Sequence, residues 1–286
     1  MHWSDRRRKF RAVLDGNICV YPGSVHDPIS ARIAEDVGFE IGMLAGSVAS
    51  FTVLGAPDLI VMTLTEFAAQ AYRINRAGNL PLMVDADHGY GNALNVMRTV
   101  QELETAGVGG LSIEDTNLPR PYNDPKPVLL SIEEGIGKMR AAVAARQDPG
   151  LAIFARTSAP TISGTDDAIA RVRAYSDTGV DAIFLVGIRD RAQLDAVTAA
   201  THLPVMIGGA TGELADREYL ASRKVRIALQ PHLPFSASVQ ALYDTLKAMR
   251  DGMTPKDIKG IASAALMKQV TREADFDNWT AEFLGK

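Results

Sequence analysis

Three scarcities narrow what this sequence can encode. Its 286 residues include one cysteine, Cys19. That excludes a disulfide framework and a cysteine-rich zinc site, and it suits a reducing compartment. No apolar run reaches the roughly 18 residues that a membrane-spanning helix requires. Neither sign of charge is in large excess, since 30 basic and 34 acidic residues leave a formal charge of −4. Such a balance disfavours nucleic acid or an anionic membrane as the main partner. The basic stretch Arg6-Arg7-Arg8-Lys9 is followed by Phe10, Val13 and Leu14 and not by an apolar leader. A short amphipathic helix with a solvated basic face is expected there, in a cytoplasmic protein.

The remainder has the composition of a globular chain, 47% hydrophobic and 22% charged. At about 150 residues per domain the length suggests two domains, yet α/β barrels of about 250 residues form one. Short apolar runs at 19–25, 40–45, 82–86, 110–113, 151–155, 182–186, 204–207 and 226–229 read as strands. They alternate with amphipathic stretches such as 94–106, 132–145, 168–178 and 191–200, where Val96, Val100 and Leu103 recur at helical spacing. The strands are continuously apolar, as in a parallel sheet covered by helices.

Eight strands in βα order predict an α/β fold, a (β/α)8 TIM-type barrel. It is expected to form a single domain over 1–286, with an N-terminal helix and a C-terminal helical extension at 253–286. On that extension Ile258, Ile261, Ala265 and Leu266 would share one face, capping the chain's own barrel or lying on a neighbouring subunit. A dinucleotide-binding sheet is disfavoured, because Gly42, Gly46 and Gly55 lack the GxGxxG spacing.

Chemistry in such a barrel sits at the C-terminal strand ends. Those ends carry Gly46-Ser47, Asp85-Ala86-Asp87-His88, Glu114-Asp115, Arg156-Thr157 and, after the last strand, His232. No comparable set is evident at the opposite ends. Asp85 and Asp87, two apart, can face one side, with Glu114 coming in from the next strand. Crowded carboxylates raise one another's pKa unless a cation neutralises them. Oxygen ligands select Mg²⁺ or Mn²⁺ over zinc. Asp58, in the loop after strand 2, is suited to join through a water. The competing role for such acids is capping helix N-termini, open to Asp115 and one of the pair.

Arg156 suits a carboxylate or phosphate ligand, and its alternative is an ion pair with a nearby acid such as Glu114. His232 is a candidate substrate contact, while His88 either contacts substrate or braces its loop. Gly46 and Ser47 would let amides and a hydroxyl approach an anion. The run Gly208-Gly209-Ala210-Thr211-Gly212 either holds a phosphate or forms a turn that needs positive φ. Schiff-base chemistry is excluded by the absence of a lysine at any strand end. Cys19 lies at the wrong end of strand 1 for a nucleophile, and Ser47 has no triad partners nearby.

Gly46-Ser47-Val48-Ala49-Ser50, Asp85-Ala86-Asp87-His88-Gly89-Tyr90-Gly91, Ser112-Ile113-Glu114-Asp115 and Ala155-Arg156-Thr157 resemble the isocitrate lyase/phosphoenolpyruvate mutase superfamily. Asp27-Pro28-Ile29-Ser30-Ala31-Arg32 and the segment 92–100 are similar to its bacterial oxaloacetate decarboxylase branch. The resemblance implies a magnesium-dependent barrel in a homotetramer, a dimer of dimers, with C-terminal helices exchanged between subunits. It implies Ser47, Arg156 and His232 as substrate contacts and Asp85 as the direct metal ligand, with Asp58, Asp87 and Glu114 in the metal's outer shell.

The loop at 117–127 lacks the Lys-[Lys/Arg]-Cys-Gly-His segment of the isocitrate and methylisocitrate lyases and the Asn-Lys motif of the mutase and phosphonopyruvate hydrolase branch. Two places depart from the family pattern, Ser158-Ala159-Pro160 and Gly208-Gly209. The expected reaction is decarboxylation of a 2-keto dicarboxylic acid, oxaloacetate, to pyruvate and CO₂. The alternatives are a carbon–carbon lyase acting on a substituted malate (methylisocitrate or dimethylmalate lyase-like) and a barrel that binds a keto acid without turnover.

Overall fold

A computed structural model describes residues 2–123 and 126–285. Its eight parallel strands follow chain order: β1 (Gly23–Ser24), β2 (Gly42–Leu44), β3 (Leu82–Asp85), β4 (Gly110–Glu114), β5 (Ala152–Thr157), β6 (Ala182–Leu185), β7 (Val205–Ile207) and β8 (Val225–Ala228). The ring closes through Val20, which is bridged in parallel to Ile227. The Val20 N–H donates to the Arg226 carbonyl at 2.9 Å, and the Ala228 N–H donates to the Val20 carbonyl at 3.0 Å. The expected (β/α)8 barrel is therefore the observed one. β1 is shorter than its apolar run because closure uses one bridge at Val20 ahead of the regular ladder.

The helices are α1 (Trp3–Leu14) and α2 (Pro28–Asp36), the short α3 (Gly46–Ala49) and α4 (Leu64–Asn75). After them come α5 (Ala93–Thr105), α6 (Ile132–Ala145), the short α7 (Ala159–Ile162), α8 (Thr165–Ser176), α9 (Arg191–Thr198) and α10 (Arg217–Ser222). Local chemistry starts several of them. Asp27 with Ser30, Thr63 with Glu66, and Asn92 with Asn95 form reciprocal capping boxes at α2, α4 and α5. Val96, Val100 and Leu103 on α5 are fully buried against the sheet, as their spacing requires.

The basic run departs from expectation. Arg6 and Arg7 are buried, not solvated, because α1 lies across the N-terminal end of the barrel. Phe10 stacks edge-on with Phe154 at 6.1 Å, and a Cβ at Gly110 would come within 2.6 Å of the Phe10 ring. Arg7 donates to the carbonyls of Val108 and Glu104 and pairs with Asp148 at 2.7 Å. Arg11 and Arg146 both pair with Asp181 at 2.6 Å. The barrel thus has a charged cluster at this end too, one that fastens α1.

Contacts divide the chain into two compact units, Met1–Pro231 and His232–Lys286. The second holds α11 (Leu233–Arg250), α12 (Ala264–Thr271) and α13 (Glu273–Phe283). The stretch between Ile258 and Ser263 is not helical, so Ile258 and Ile261 share no helix face with Ala265 and Leu266. Pro255 and the positive φ of Gly260 interrupt the helical path. Among the described residues, no helix is long and apolar enough to cross a membrane.

Candidate active site

β3, β4 and β5 bring the candidate residues together at their C-terminal ends. Asp85 closes β3 opposite Ser112, and Glu114 closes β4 opposite Arg156. Arg156 Nη1 forms an ion pair with Asp85 Oδ2 and lies 3.6 Å from Glu114 Oε1. Its alternative role, an ion pair with a neighbouring acid, is therefore realised, with Asp85 as the main partner. Ser112 Oγ donates to Asp85 Oδ1 at 3.0 Å, and Thr116 Oγ1 donates to Glu114 Oε2.

Asp87 continues the chain beyond β3 in a left-handed conformation, φ +48°. Its N–H points at Asp85 Oδ1 (3.3 Å), and its carbonyl accepts from the Glu114 N–H at 2.8 Å. Its carboxylate packs against Gly46, where an added Cβ would sit 2.5 Å from Oδ1. Gly46 is thus required for the approach of an acidic side chain. Ser47 follows, half-buried in α3.

The electrostatics follow from burial. Desolvation and the neighbouring Asp85 charge push the Asp87 carboxyl well above the usual carboxylate range. Burial also raises Glu114, against the opposing pull of Arg156. Burial disfavours the Arg156 charge, but Asp85 and Glu114 outweigh it and hold the guanidinium protonated beyond its ordinary range. Asp58 is open in surface area, yet partial desolvation and the Asp85 charge raise it as well. Asp85, Asp87 and Glu114 share one guanidinium, so burial and mutual repulsion disfavour full ionisation of the cluster unless a further positive charge joins it.

This donor set fits a hard divalent cation. Among the described residues, no three His, Cys, Asp or Glu side chains converge as ligands. An ion here would take one or two carboxylates and complete its shell with water and substrate oxygens, as Mg²⁺ does.

Other candidates fare differently. Asp115 caps no helix: its Oδ2 accepts from Thr157, Arg171 and Tyr175. His88 is buried, and desolvation with the nearby Lys138 charge lowers its pKa to about 4, so its ring is neutral. Its ring lies 5.9 Å from that of Tyr90, in keeping with a brace. Of the glycines at 208, 209 and 212, only Gly212 has positive φ, so no such demand accounts for Gly208-Gly209. In the loop at 117–127, Asp124 and Pro125 lie outside the described residues. His232 opens the second unit, immediately before α11.

Nothing in the strand-end motifs pointed to Lys138, which is only 2% exposed on the inner face of α6 with Gly135, Met139 and Ala142. Its one legible signal was a lysine at a core position of an amphipathic helix. The Arg171–Tyr175 pair was equally hidden, since an i, i+4 spacing reveals no distant partner.

A family model described as phosphoenolpyruvate phosphomutase matches residues 10–250. The chain is 57% identical over 285 residues to an oxaloacetate decarboxylase of Bradyrhizobium diazoefficiens, covering 100% of this chain and 99% of the relative. Among solved structures, phosphoenolpyruvate phosphomutase from Streptomyces platensis subsp. rosaceus superposes with a TM-score of 0.85. It is 27% identical, covering 97% of this chain and 99% of that one. A phosphonopyruvate hydrolase complex with oxalate and Mg²⁺ gives 0.84 at 26% identity, covering 98% and 99%.

Proposed function

The chain belongs to the phosphoenolpyruvate phosphomutase family, and on that premise we propose that it decarboxylates oxaloacetate, a 2-keto dicarboxylic acid, to pyruvate and CO₂. The observation that carries the reading is Arg156, held by Asp85 and Glu114 at adjoining strand ends inside an acidic mouth. It is supported by the full-length similarity to an oxaloacetate decarboxylase.

A guanidinium so placed binds a substrate carboxylate through two parallel hydrogen bonds, exchanging an internal partner for a ligand. Gly46 and Ser47 offer an amide and a hydroxyl to the same anion, and His232 contacts the keto acid. As the C3–carboxylate bond breaks, its electron pair moves into the 2-keto carbonyl, CO₂ leaves, and the enolate takes a proton at C3 from water. Asp85 would hold a divalent cation directly, and Asp87, Glu114 and Asp58 would hold the waters of such an ion. When bound, Mg²⁺ (or Mn²⁺ in its place) supplies positive charge to the keto oxygen as negative charge develops there. Burial of Asp87 and Glu114 limits competing water and strengthens these interactions. No cysteine or strong base is required.

The assembly belongs to the same proposal. The chain forms one barrel domain over 1–286, extended at 253–286, in a cytoplasmic homotetramer built as a dimer of dimers with exchanged C-terminal helices. Supporting this, α11 has no buried residue and exposes Leu233, Val239, Leu242, Tyr243, Leu246 and Met249.

The test is a Mg²⁺-dependent panel of oxaloacetate, substituted malates and phosphonopyruvate. Release of CO₂ and pyruvate from oxaloacetate is expected. Folded, metal-loaded protein that cleaves a substituted malate instead, or binds oxalate without any turnover, overturns the reading.

A further inference from the structure

Behind the strand ends, on the side facing the helices, lies a second buried polar cluster whose side chains, among the described residues, hydrogen-bond to none of the side chains assigned to substrate or metal. Asp115 is fully buried one residue beyond Glu114, and Thr157 is fully buried one residue beyond Arg156. Because side chains alternate along a strand, Glu114 and Arg156 face one way while Asp115 and Thr157 face the other. Asp115 Oδ2 accepts three hydrogen bonds, from Thr157 Oγ1 at 3.0 Å, Tyr175 Oη at 2.7 Å and Arg171 Nη1 at 2.9 Å. Its Oδ1 has no hydrogen-bond partner among the described residues. One carboxylate oxygen therefore joins β4, β5 and α8.

The same cluster reaches the base of the loop that follows β4. Arg171 Nη1 also donates to the Leu130 carbonyl at 2.9 Å, and Arg171 Nε pairs with Asp167 at 2.8 Å. The Leu130 N–H donates to the Asp115 carbonyl at 2.8 Å, and Thr116 bridges Leu129. The Asp115 N–H meets the Arg156 carbonyl at 3.3 Å. α6 is shaped around this arrangement, since a Cβ at Gly135 would sit 2.2 Å from the Tyr175 hydroxyl. Buried polar networks that join several elements through one charged group define a single geometry, and each lost partner leaves the others unsatisfied.

We propose that Asp115 is a positioning residue: with Thr157, Arg171 and Tyr175 it sets the spacing of Glu114 and Arg156 and anchors both ends of the 117–130 loop to α8. This rests on the function proposed above for Arg156 and Glu114. A small displacement of Arg156 would misalign the substrate carboxylate with little effect on its capture, so the loss falls on kcat more than on KM.

Three near-isosteric variants test it: Thr157→Val and Tyr175→Phe, which remove single hydroxyl donors, and Thr157→Ser, which keeps one. Thr157→Val is expected to lower kcat for oxaloacetate roughly tenfold with KM within about twofold, because reacting groups displaced by about 1 Å can cost up to about a hundredfold. Thr157→Ser should restore most of the rate. Hydrogen exchange read by mass spectrometry should rise in segments 114–117 and 128–131 in Thr157→Val and Tyr175→Phe, with the rest of the barrel unchanged. Wild-type kcat in Thr157→Val, equal losses in Thr157→Ser, or a uniform rise in exchange would each overturn the proposal. If wild-type protein fails to turn over oxaloacetate, the reaction assignment falls, and the exchange pattern alone decides the positioning role.

Discussion

Arg156 Nη1 reaches across β4 to pair with Asp85 Oδ2, joining two residues that stand 71 positions apart and on non-adjacent strands. The guanidinium therefore lies over the end of β4, where Glu114 is 3.6 Å away. On the proposed function, substrate and cation would both rearrange this pair, Asp85 turning to the ion and Arg156 to the carboxylate. Binding of the two is thus expected to be mutually reinforcing, and this relationship can be probed from either side.

Arg156→Lys keeps the charge and loses the planar fork. Removal of a preorganised donor set of this kind costs roughly a hundredfold in kcat. Steady-state kinetics on oxaloacetate measure it, and a variant as active as the parent would remove Arg156 from the site.

Asp85→Ala should abolish Mg²⁺ binding in a titration calorimeter. Asp87→Asn, altering an outer-shell group, should weaken binding by about 10- to 100-fold. Equal effects from the two variants would contradict the division of roles. Gly46→Ala forces the Asp87 carboxylate to move from a contact of 2.5 Å, and should mimic Asp87→Asn in the same titration.

Burial raises the Cys19 thiol to about 11, against the opposing influence of Arg217 and Arg226. The native protein should react with a disulfide reagent at pH 8 far more slowly than the denatured chain, with one thiol appearing on unfolding. Because the folded value is raised, the associated stability is complete below the unfolded thiol range and is lost as pH rises through about 11. Rapid native labelling at pH 8 would contradict the buried placement.

At the other end of the barrel, burial works against the Asp148 charge, but Arg7 and the Gly150 N–H outweigh it and hold the carboxyl below its usual range. A depressed folded value means that this stability exists above the unfolded carboxylate pKa of about 3.9 and disappears as pH falls through the folded one. Asp148→Asn should lower the melting temperature at pH 7, and the difference from the parent should shrink as pH falls below the unfolded carboxylate range. Arg7→Ala is the harsher change, since it strips donors from two backbone carbonyls, on the order of 1–3 kcal/mol each.

Leu242→Glu combined with Leu246→Glu places charge on the exposed apolar side of α11. Sedimentation should show dissociation to smaller species, while an unchanged mass would remove α11 from the subunit interface.

Much of the architecture was legible because its signals are local. Continuous apolar runs located every strand, and the Val96, Val100 and Leu103 spacing located α5 to within about a residue. The acids and the arginine at the strand ends were legible once strand order assigned them to one end of a barrel. Arg6 and Arg7 were misread because helical periodicity says which residues share a face, not what that face meets; here it meets the closed end of the barrel. For Asp115 the sequence offers helix capping as a competing role because capping is the local option, while its actual partners lie 42, 56 and 60 positions away.

The lone cysteine, the balanced charge and the βα alternation were enough, as sequence, to determine an eight-stranded barrel without disulfides and with acids at one mouth, because composition and periodicity act over a few residues. Tertiary structure decided the pairings: Arg156 with Asp85, Asp115 with Arg171, Arg7 with Asp148. Those depend on which charged groups burial forces together. A buried charge takes the partner that the closed fold brings within reach, and sequence separation has no bearing on that distance.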